Sequence, residues 1–340
     1  MSGPDSLRVM TYNILYDTSP TGGGSGEERW PLVVEGIREA DADLVALQEV
    51  LPGRIAAIPR HLPEFRLAVS EPGGSGRAVA PLLAVSAVAL VLLIQRRRRH
   101  GDPTARRGRA RRLSGHAVTV ALWALVLGIP GALAIGSFHV GGYGNLNERL
   151  AFLYRPEKLE LVAQRTYWFS PTPLKPGTRG PFEFEPRIAQ LGVFRRVHGG
   201  DTLVVLNVHP GHSSAAHAST AALMRTVLDA RWRDGATQIL LGDFNAAGNS
   251  PRLTRLSDPG TGGMPGFRDA WLEAPTRSGP AGTFQWGRAK RGGDLRIDHV
   301  LVRGPARVLH ARTLGKTRGE LVASDHDALV VDLVLSYAAE

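Results

Sequence analysis

The chain has 340 residues, 43% of them hydrophobic, enough for one large domain or two ordinary ones around a packed core. It has no cysteine, which excludes disulfides, a thiolate nucleophile and zinc–thiolate sites but leaves the compartment open. The net charge of +10 is concentrated: nine arginines (96–99, 106, 107, 109, 111 and 112) against the one acid Asp102 put +8 into residues 78–138 and leave +2 for the rest, which argues against a broad polyanion-binding surface on the body.

In chain order, Leu7–Tyr12 reads as a strand. A Gly-rich loop at 20–26 follows; its glycines lack the Lys-Ser/Thr of a phosphate-binding P-loop. Arg29–Ala40 reads as a helix, Leu44–Leu47 as a short buried strand and Gly53–Leu62 as helical. Two charge-free runs come next, Ala78–Ile94 and Ala117–Phe138, joined by an Arg-rich loop at 95–116. A membrane-spanning helix needs about 17–25 apolar residues, so both runs qualify. Gly128, Pro130 and Gly131 kink the second without forbidding it. The alternative is a buried helical pair in a soluble protein, and the polyarginine connection argues against it. Two spans return the chain to its starting side, so residues 1–77 and 139–340 fold together as one catalytic body. By the positive-inside rule the Arg-rich loop stays cytoplasmic, so the expected location is the plasma membrane with the body extracytoplasmic.

The pattern resumes with strands at Ala151–Tyr154, Ile188–Arg195 and Thr202–Val208, and a surface loop at 171–181. A helix is predicted from Ser214 to Arg233, then strands at Gln238–Leu241, Ile297–Val302, Val308–Thr313 and Leu329–Leu335. Mixed strands and helices of this kind predict an α/β sandwich of two sheets covered by helices.

Polar residues recur at the ends of these apolar strands, where loops present functional groups. They are Asn13, Glu49, His209, Asp243 with Asn245, Asp298, and Asp325 with His326. Phosphoester hydrolysis needs carboxylates for a hard divalent cation, a base for water, and donors for the developing negative charge. Glu49, Asp243, Asp298 and Asp325 supply the first two; Asn13, Asn245, His209 and His326 supply the third. Any one of them alone could cap a helix or make a turn. Their joint placement after strands is what points to chemistry. His212 and His217 are spaced poorly for a zinc pair and read as site-rim or surface residues. The scattered tryptophans read as core or interface.

The segments TYNI (11–14), LQEV (47–50), NVHPGH (207–212), GDFNA (242–246), RIDHVLV (296–302) and SDH (324–326) occur in an order that resembles the endonuclease/exonuclease/phosphatase superfamily. NERLAFLYRPEKLEL (147–161), TYWFSPTPLKPG (166–177) and PRIAQLGVF (186–194) resemble a bacterial branch of it. The resemblance implies a four-layer α/β/β/α sandwich of deoxyribonuclease I type, here interrupted by a two-helix transmembrane hairpin. It implies Mg²⁺ as cofactor, with Mn²⁺ as the alternative. Glu49 would be the principal metal ligand, with Asn13 beside it and Asp325 contributing to the metal environment. Asp243 would handle the proton of the water or leaving group, and Asn245 would orient the phosphate. His326, held by Asp298, and His209 would contact the phosphate. Glu148 and Arg187 are weaker site-lining candidates, with a surface or structural role as the equal alternative. Val208, Pro210 and Ala328 depart from the usual threonine, leucine and proline of the superfamily.

Three functions follow as expectations. The first is a membrane-anchored, Mg²⁺-dependent phosphoesterase acting on a lipid head group or a small phosphorylated molecule. The second is a surface or secreted-type nuclease with the same site, nucleic acid being substrate only. The third is a catalytically inactive membrane scaffold that binds anionic lipid. The oligomeric state is not legible.

Overall fold

The computed structural model describes residues 6–17, 23–72, 148–181, 183, 185–232, 236–260, 263–285 and 295–335. The chain divides into two units, Met1–Gly74 with Leu146–Glu340, and Ser75–Asn145. The expected membrane hairpin at 78–138 lies outside the described residues. Among the described residues, no helix is long and apolar enough to cross a membrane.

Strands are numbered along the chain. One sheet has seven, in spatial order β10 (Thr276–Ser278), β12 (Ala306–Leu314), β15 (Ala328–Leu335), β1 (Ser6–Asn13), β2 (Leu44–Val50), β4 (Arg149–Tyr154) and β3 (Arg66–Val69). A second sheet has six: β5 (Leu159–Trp168), β6 (Ile188–Arg196), β7 (Thr202–His209), β8 (Thr237–Asp243), β11 (Asp298–Arg303) and β9 (Arg268–Asp269). A short hairpin pairs β13 (Thr317–Arg318) with β14 (Leu321–Val322). The helices are α1 (Gly26–Ala40), α2 (Pro52–His61), α3 (His217–Asp229), α4 (Pro251–Ser257) and α5 (Ala270–Glu273).

Strand periodicity sorts the layers. Leu7, Val9, Leu44 and Ala46 face inward and pack against Phe194, Val205, Ile239 and Val300 of the second sheet. Met10, Tyr12, Val45 and Leu47 face the other way, onto Trp30, Leu32 and Ile37 of α1 and Ile58 of α2. On the second sheet Leu206, Leu240 and Leu301 face Met224 and Leu228 of α3 and Leu253 and Leu256 of α4. The result is helix, sheet, sheet, helix, as the sequence pattern predicts. Strands covered on both faces explain why the predicted ones read as continuous apolar runs.

The helix predicted over Ser214–Arg233 is shorter. Ser214–Ala216 is a 3₁₀ turn and α3 ends at Asp229. There the chain tightens, with Arg231 N–H on Leu228 O and Trp232 N–H on Asp229 O. This places the Trp232 ring under the guanidinium of Arg303, 4.9 Å away.

The register gathers functional residues at one end. β1 and β2 run parallel, as do β7 and β8, so Asn13, Glu49, His209 and Asp243 all lie at the C-terminal ends of their strands. β11 is antiparallel to β8 and pairs Asp298 with Asp243. β4 and β6 begin at that end, next to Glu148 and Arg187. Beneath the site the two sheets are stitched by polar groups: Gln48 Nε2 donates to Asn207 Oδ1 (2.8 Å), and Asn207 Nδ2 donates to Leu47 O (3.0 Å).

Candidate active site

Two site residues have left-handed backbones without being glycine. Glu49 has φ +61° and Asn245 has φ +46°. Asparagine tolerates this conformation; glutamate does not, and such strain costs about 1–3 kcal/mol. Glu49 sits where the β2–β4 register slips between Leu47 and Val50, so the kink breaks the alternation of the strand at this carboxylate. Gly242 has φ +148°, and any Cβ there would lie 2.1 Å from Val208 O of the neighbouring strand. Only glycine fits before Asp243.

Asn13 joins the two halves of the site. Its Nδ2 donates to Glu49 Oε1 (2.9 Å) and to Asp243 Oδ2 (3.1 Å). The backbone N–H of Tyr16 holds Glu49 Oε2 at 3.0 Å. Burial, then the nearby Glu148 and Asp325, push the pKa of Glu49 up to about 7, against the opposing pull of His209 and Asn13. Ser324 Oγ donates to Asn13 O (2.7 Å) and so ties the Asp325 loop to β1.

The other half is built from two histidine–carboxylate pairs converging on Asp243. His326 Nδ1 meets Asp298 Oδ2 at 2.8 Å, and its Nε2 lies 3.6 Å from Asp243 Oδ2. His209 Nδ1 is hydrogen-bonded to Glu148, and its Nε2 lies 3.5 Å from Asp243 Oδ2. Burial disfavours charge on His326, but Asp298 and Asp243 outweigh it and raise its pKa well above the ordinary imidazole value. The same balance, with Glu148 foremost among the opposing charges, raises that of His209. Asp243 is pulled the other way: burial alone would raise its pKa, but His326, His209 and the Asn245 N–H (2.8 Å) lower it. The site therefore sets a carboxylate that favours its ionised form between two imidazoles whose charged forms are favoured by their carboxylate neighbours. Phe284 flanks His326, ring centroids 4.9 Å apart.

All eight residues singled out from the sequence meet here. Asp325 enters through its charge on Glu49 and His326. Asn245 Nδ2 also donates to Pro210 O (3.0 Å), bracing the loop after β7. Glu148 and Arg187, the weaker candidates, are drawn in: Glu148 bonds His209, and Arg187 Nη1 lies 3.1 Å from His209 Nε2. His212 keeps part of its surface in solvent at the rim near Arg187, His209 and Asp243; partial desolvation of the ring, then the surrounding cations, lower its pKa. His217 departs from the site-rim or surface expectation. It is buried at the start of α3, with neither ring nitrogen hydrogen-bonded. Sequence reasoning assigned no role to Gln48, Asn207, Phe284, Arg29 or Arg252. Gln48 and Asn207 had a signal, since each interrupts an apolar strand at a buried position.

Asp243, Asp298 and His326 each bring one potential metal-ligand atom within 4.8 Å of the others. Asp298 occupies Nδ1 of His326, and Asp298 with Asp243 favours the charged ring, which has no free lone pair for a metal. A hard cation is better matched by Glu49, Asn13 and Asp325, where Glu148 and Asp325 crowd the buried Glu49 carboxylate and push its pKa up. The donor set thus fits a divalent ion.

The family model described as the Endonuclease/Exonuclease/phosphatase family matches residues 10–326. The chain belongs to this family. It is accordingly a phosphoester hydrolase of a divalent-metal-dependent family. The fold is similar to that of an endonuclease/exonuclease/phosphatase family protein from Bacteroides thetaiotaomicron, with TM-score 0.69 and 19% identity over 97% of this chain and 98% of that one. It is also similar to a mannosyl-6-phosphatase of the same organism (0.66, 19%, 96% and 99%) and to truncated TDP2 of Caenorhabditis elegans (0.57, 16%, 98% and 98%). Comparison with curated proteins finds no match.

Proposed function

We propose that this endonuclease/exonuclease/phosphatase family member is a membrane-anchored, Mg²⁺-dependent phosphoesterase acting on a lipid-derived or small phosphorylated substrate. The observation that carries the membrane part is Glu148. It is the first described residue after the stretch that holds both apolar runs and the Arg-rich loop, and its carboxylate is bonded to His209. In sequence, the stretch that would form the hairpin is thus followed closely by a residue of the site. The Arg-rich loop favours the plasma membrane with the body extracytoplasmic.

Glu49, Asn13 and Asp325 would hold the ion. When bound, it would neutralise phosphate charge and stabilise the departing oxygen. Asp243, kept ionised, accepts a hydrogen bond from the attacking water and aligns its lone pair with phosphorus. His209 and His326 donate to the non-bridging phosphate oxygens, each ring fixed by its carboxylate partner. Asn245 orients the phosphate. A bond forms from water oxygen to phosphorus as the ester P–O bond breaks, and the proton lost by the water passes by way of Asp243 to the leaving alkoxide.

The test is hydrolysis of a panel by detergent-solubilised protein, with Mg²⁺ and with EDTA. The panel contains phosphatidylinositol phosphates, sphingomyelin, a sugar phosphate, plasmid DNA, RNA and a generic phosphodiester. Metal-dependent turnover of a lipid or small phosphoester, lost in Glu49→Ala, supports the reading. Preferential turnover of DNA replaces it with the nuclease reading, which the near-neutral body disfavours for duplex substrates. No turnover by folded protein favours the lipid-binding scaffold.

A further inference from the structure

We propose that two buried arginines, Arg29 and Arg252, are positioning residues that each fix one half of the active site, Arg29 the cation half and Arg252 the phosphate half. Neither is among the residues expected to touch substrate. Arg29 is 1% exposed and Arg252 0%. Each lies in the first turn of a helix on an outer layer, Arg29 in α1 and Arg252 in α4, and the two helices cover opposite sheets.

Arg29 spends its guanidinium on backbone carbonyls of two site loops. Nη1 donates to Ile14 O (3.3 Å) and Ala323 O (2.9 Å), and Nη2 to Leu15 O (3.0 Å) and Tyr16 O (2.9 Å). The 14–16 loop directly follows Asn13. Its Leu15 N–H bonds Asn13 Oδ1 (3.1 Å), and its Tyr16 N–H bonds Glu49. Ala323 directly precedes Ser324 and Asp325. One guanidinium therefore locks together the segments that present Asn13, Glu49 and Asp325.

Arg252 does the same for the other sheet. Nη1 donates to Phe244 O, Nη2 to Gly211 O (3.1 Å) and Nε to Thr220 Oγ1 (3.0 Å). Phe244 stands between Asp243 and Asn245. Gly211 stands in the loop that follows His209, the loop already braced by Asn245. This guanidinium sets the distance between the strand ends that carry Asp243 and His209.

The chemistry demands arginine. Loops that point their N–H groups and side chains into a site leave carbonyls facing inward, and buried carbonyls need donors. A planar fork of five donors satisfies three or four acceptors at once, where an ammonium offers three donors from one point. Groups that support ligands from behind typically change metal affinity or activity 10–100-fold when altered.

The inference rests on the proposed cation site, and the experiment separates their failures. Arg29→Lys, Arg29→Met, Arg252→Lys and Arg252→Met are made in the full chain in detergent. Each is measured for thermal melting, for Mn²⁺ affinity by electron paramagnetic resonance, and for KM and kcat on a generic phosphodiester at saturating metal. We expect Arg29→Lys to melt cooperatively, to bind Mn²⁺ about 10-fold or more weakly, and to keep KM within about twofold once metal is saturating. We expect Arg252→Lys to keep Mn²⁺ affinity within about twofold and to lose about 10–100-fold in kcat/KM. The methionine variants should exaggerate each defect on the same side. Wild-type Mn²⁺ affinity in Arg29→Lys, equal loss of both properties in both variants, or failure of all four to fold overturns the proposal. If the wild-type chain itself binds no Mn²⁺, the cation site falls and the assignment of Arg29 falls with it.

Discussion

Asp298 grips His326 from behind: its Oδ2 lies 2.8 Å from Nδ1, leaving Nε2 to face the site 3.6 Å from Asp243. The carboxylate fixes the orientation of the ring and favours its charged form. In Asp298→Asn the raising influence is lost, so the imidazolium gives up its proton at lower pH. We expect kcat to fall on the order of 10²–10⁴-fold. The alkaline limb of the kcat/KM profile should also move to lower pH, because the protonated donor is the working form. An unchanged alkaline limb would dissociate His326 from phosphate stabilisation.

Glu49 should trade stability for function. Its pKa, raised to about 7 by burial and by Glu148 and Asp325, means that the folded state binds a proton more tightly than the unfolded chain. Without divalent ions its effect on stability is therefore best below about pH 4.5, the ordinary glutamate value, and is lost as pH rises through about 7. Glu49→Gln is expected to be at least as stable as wild type at pH 8 in EDTA, while losing turnover and the Mg²⁺-dependent rise in Tm. Melting curves at pH 5 and pH 8, with and without Mg²⁺, decide it. A marked destabilisation of Glu49→Gln in EDTA would instead make this residue structural.

Away from the site, Asp269 governs acid stability. Burial opposes its ionisation, but hydrogen bonding with His299 and the guanidinium of Arg296, 2.8 Å away, carries its pKa down from 3.8 to about 2. Its contribution is present above about pH 4 and is lost as pH falls toward 2. A shift of this size corresponds to about 2 kcal/mol. Urea denaturation of wild type and Asp269→Asn should give a stability gap that narrows below pH 4. A gap that stays constant from pH 3 to 7 would remove charge from the explanation.

The absence of cysteine makes the proposed membrane topology directly testable. Ser278 is exposed on β10, and Ser114 belongs to the Arg-rich loop by sequence. In intact cells a membrane-impermeant maleimide should label Ser278→Cys, and should label Ser114→Cys only after permeabilisation. The reverse pattern would put the active site in the cytoplasm.

Strand ends were the most legible part of the sequence. LRVMTYN, DLVALQE, TLVVLNVH and QILLGDFN each announce a buried strand that stops at a polar residue, and the structure brings those stops to one end. What escaped has physical reasons. β5 has six consecutive exposed or half-exposed residues, 160–165, and shows no clean alternation. β3, β9 and β10 are too short for a periodic signal. Glu148 and Arg187 stand just before β4 and β6 rather than after long apolar runs, so they read only as weaker candidates, with a surface or structural role as the equal alternative. Arg29 and Arg252 look like ordinary helix-surface cations until their carbonyl partners, which come from distant parts of the chain, are known.

The last long strand lies in the middle of its sheet. β15 is hydrogen-bonded to β1 on one side and to β12 on the other, and His326 stands just ahead of it. During synthesis, β1 is made long before β15, the strand it pairs with. Until β15 is made the first sheet is split, a strand edge is open, and His326 has no pocket. Such long-range pairing is slow to form, and its unpaired edges invite aggregation. Expression of this enzyme should therefore depend on chaperone capacity during translation, and nascent chains lacking β15 should be inert.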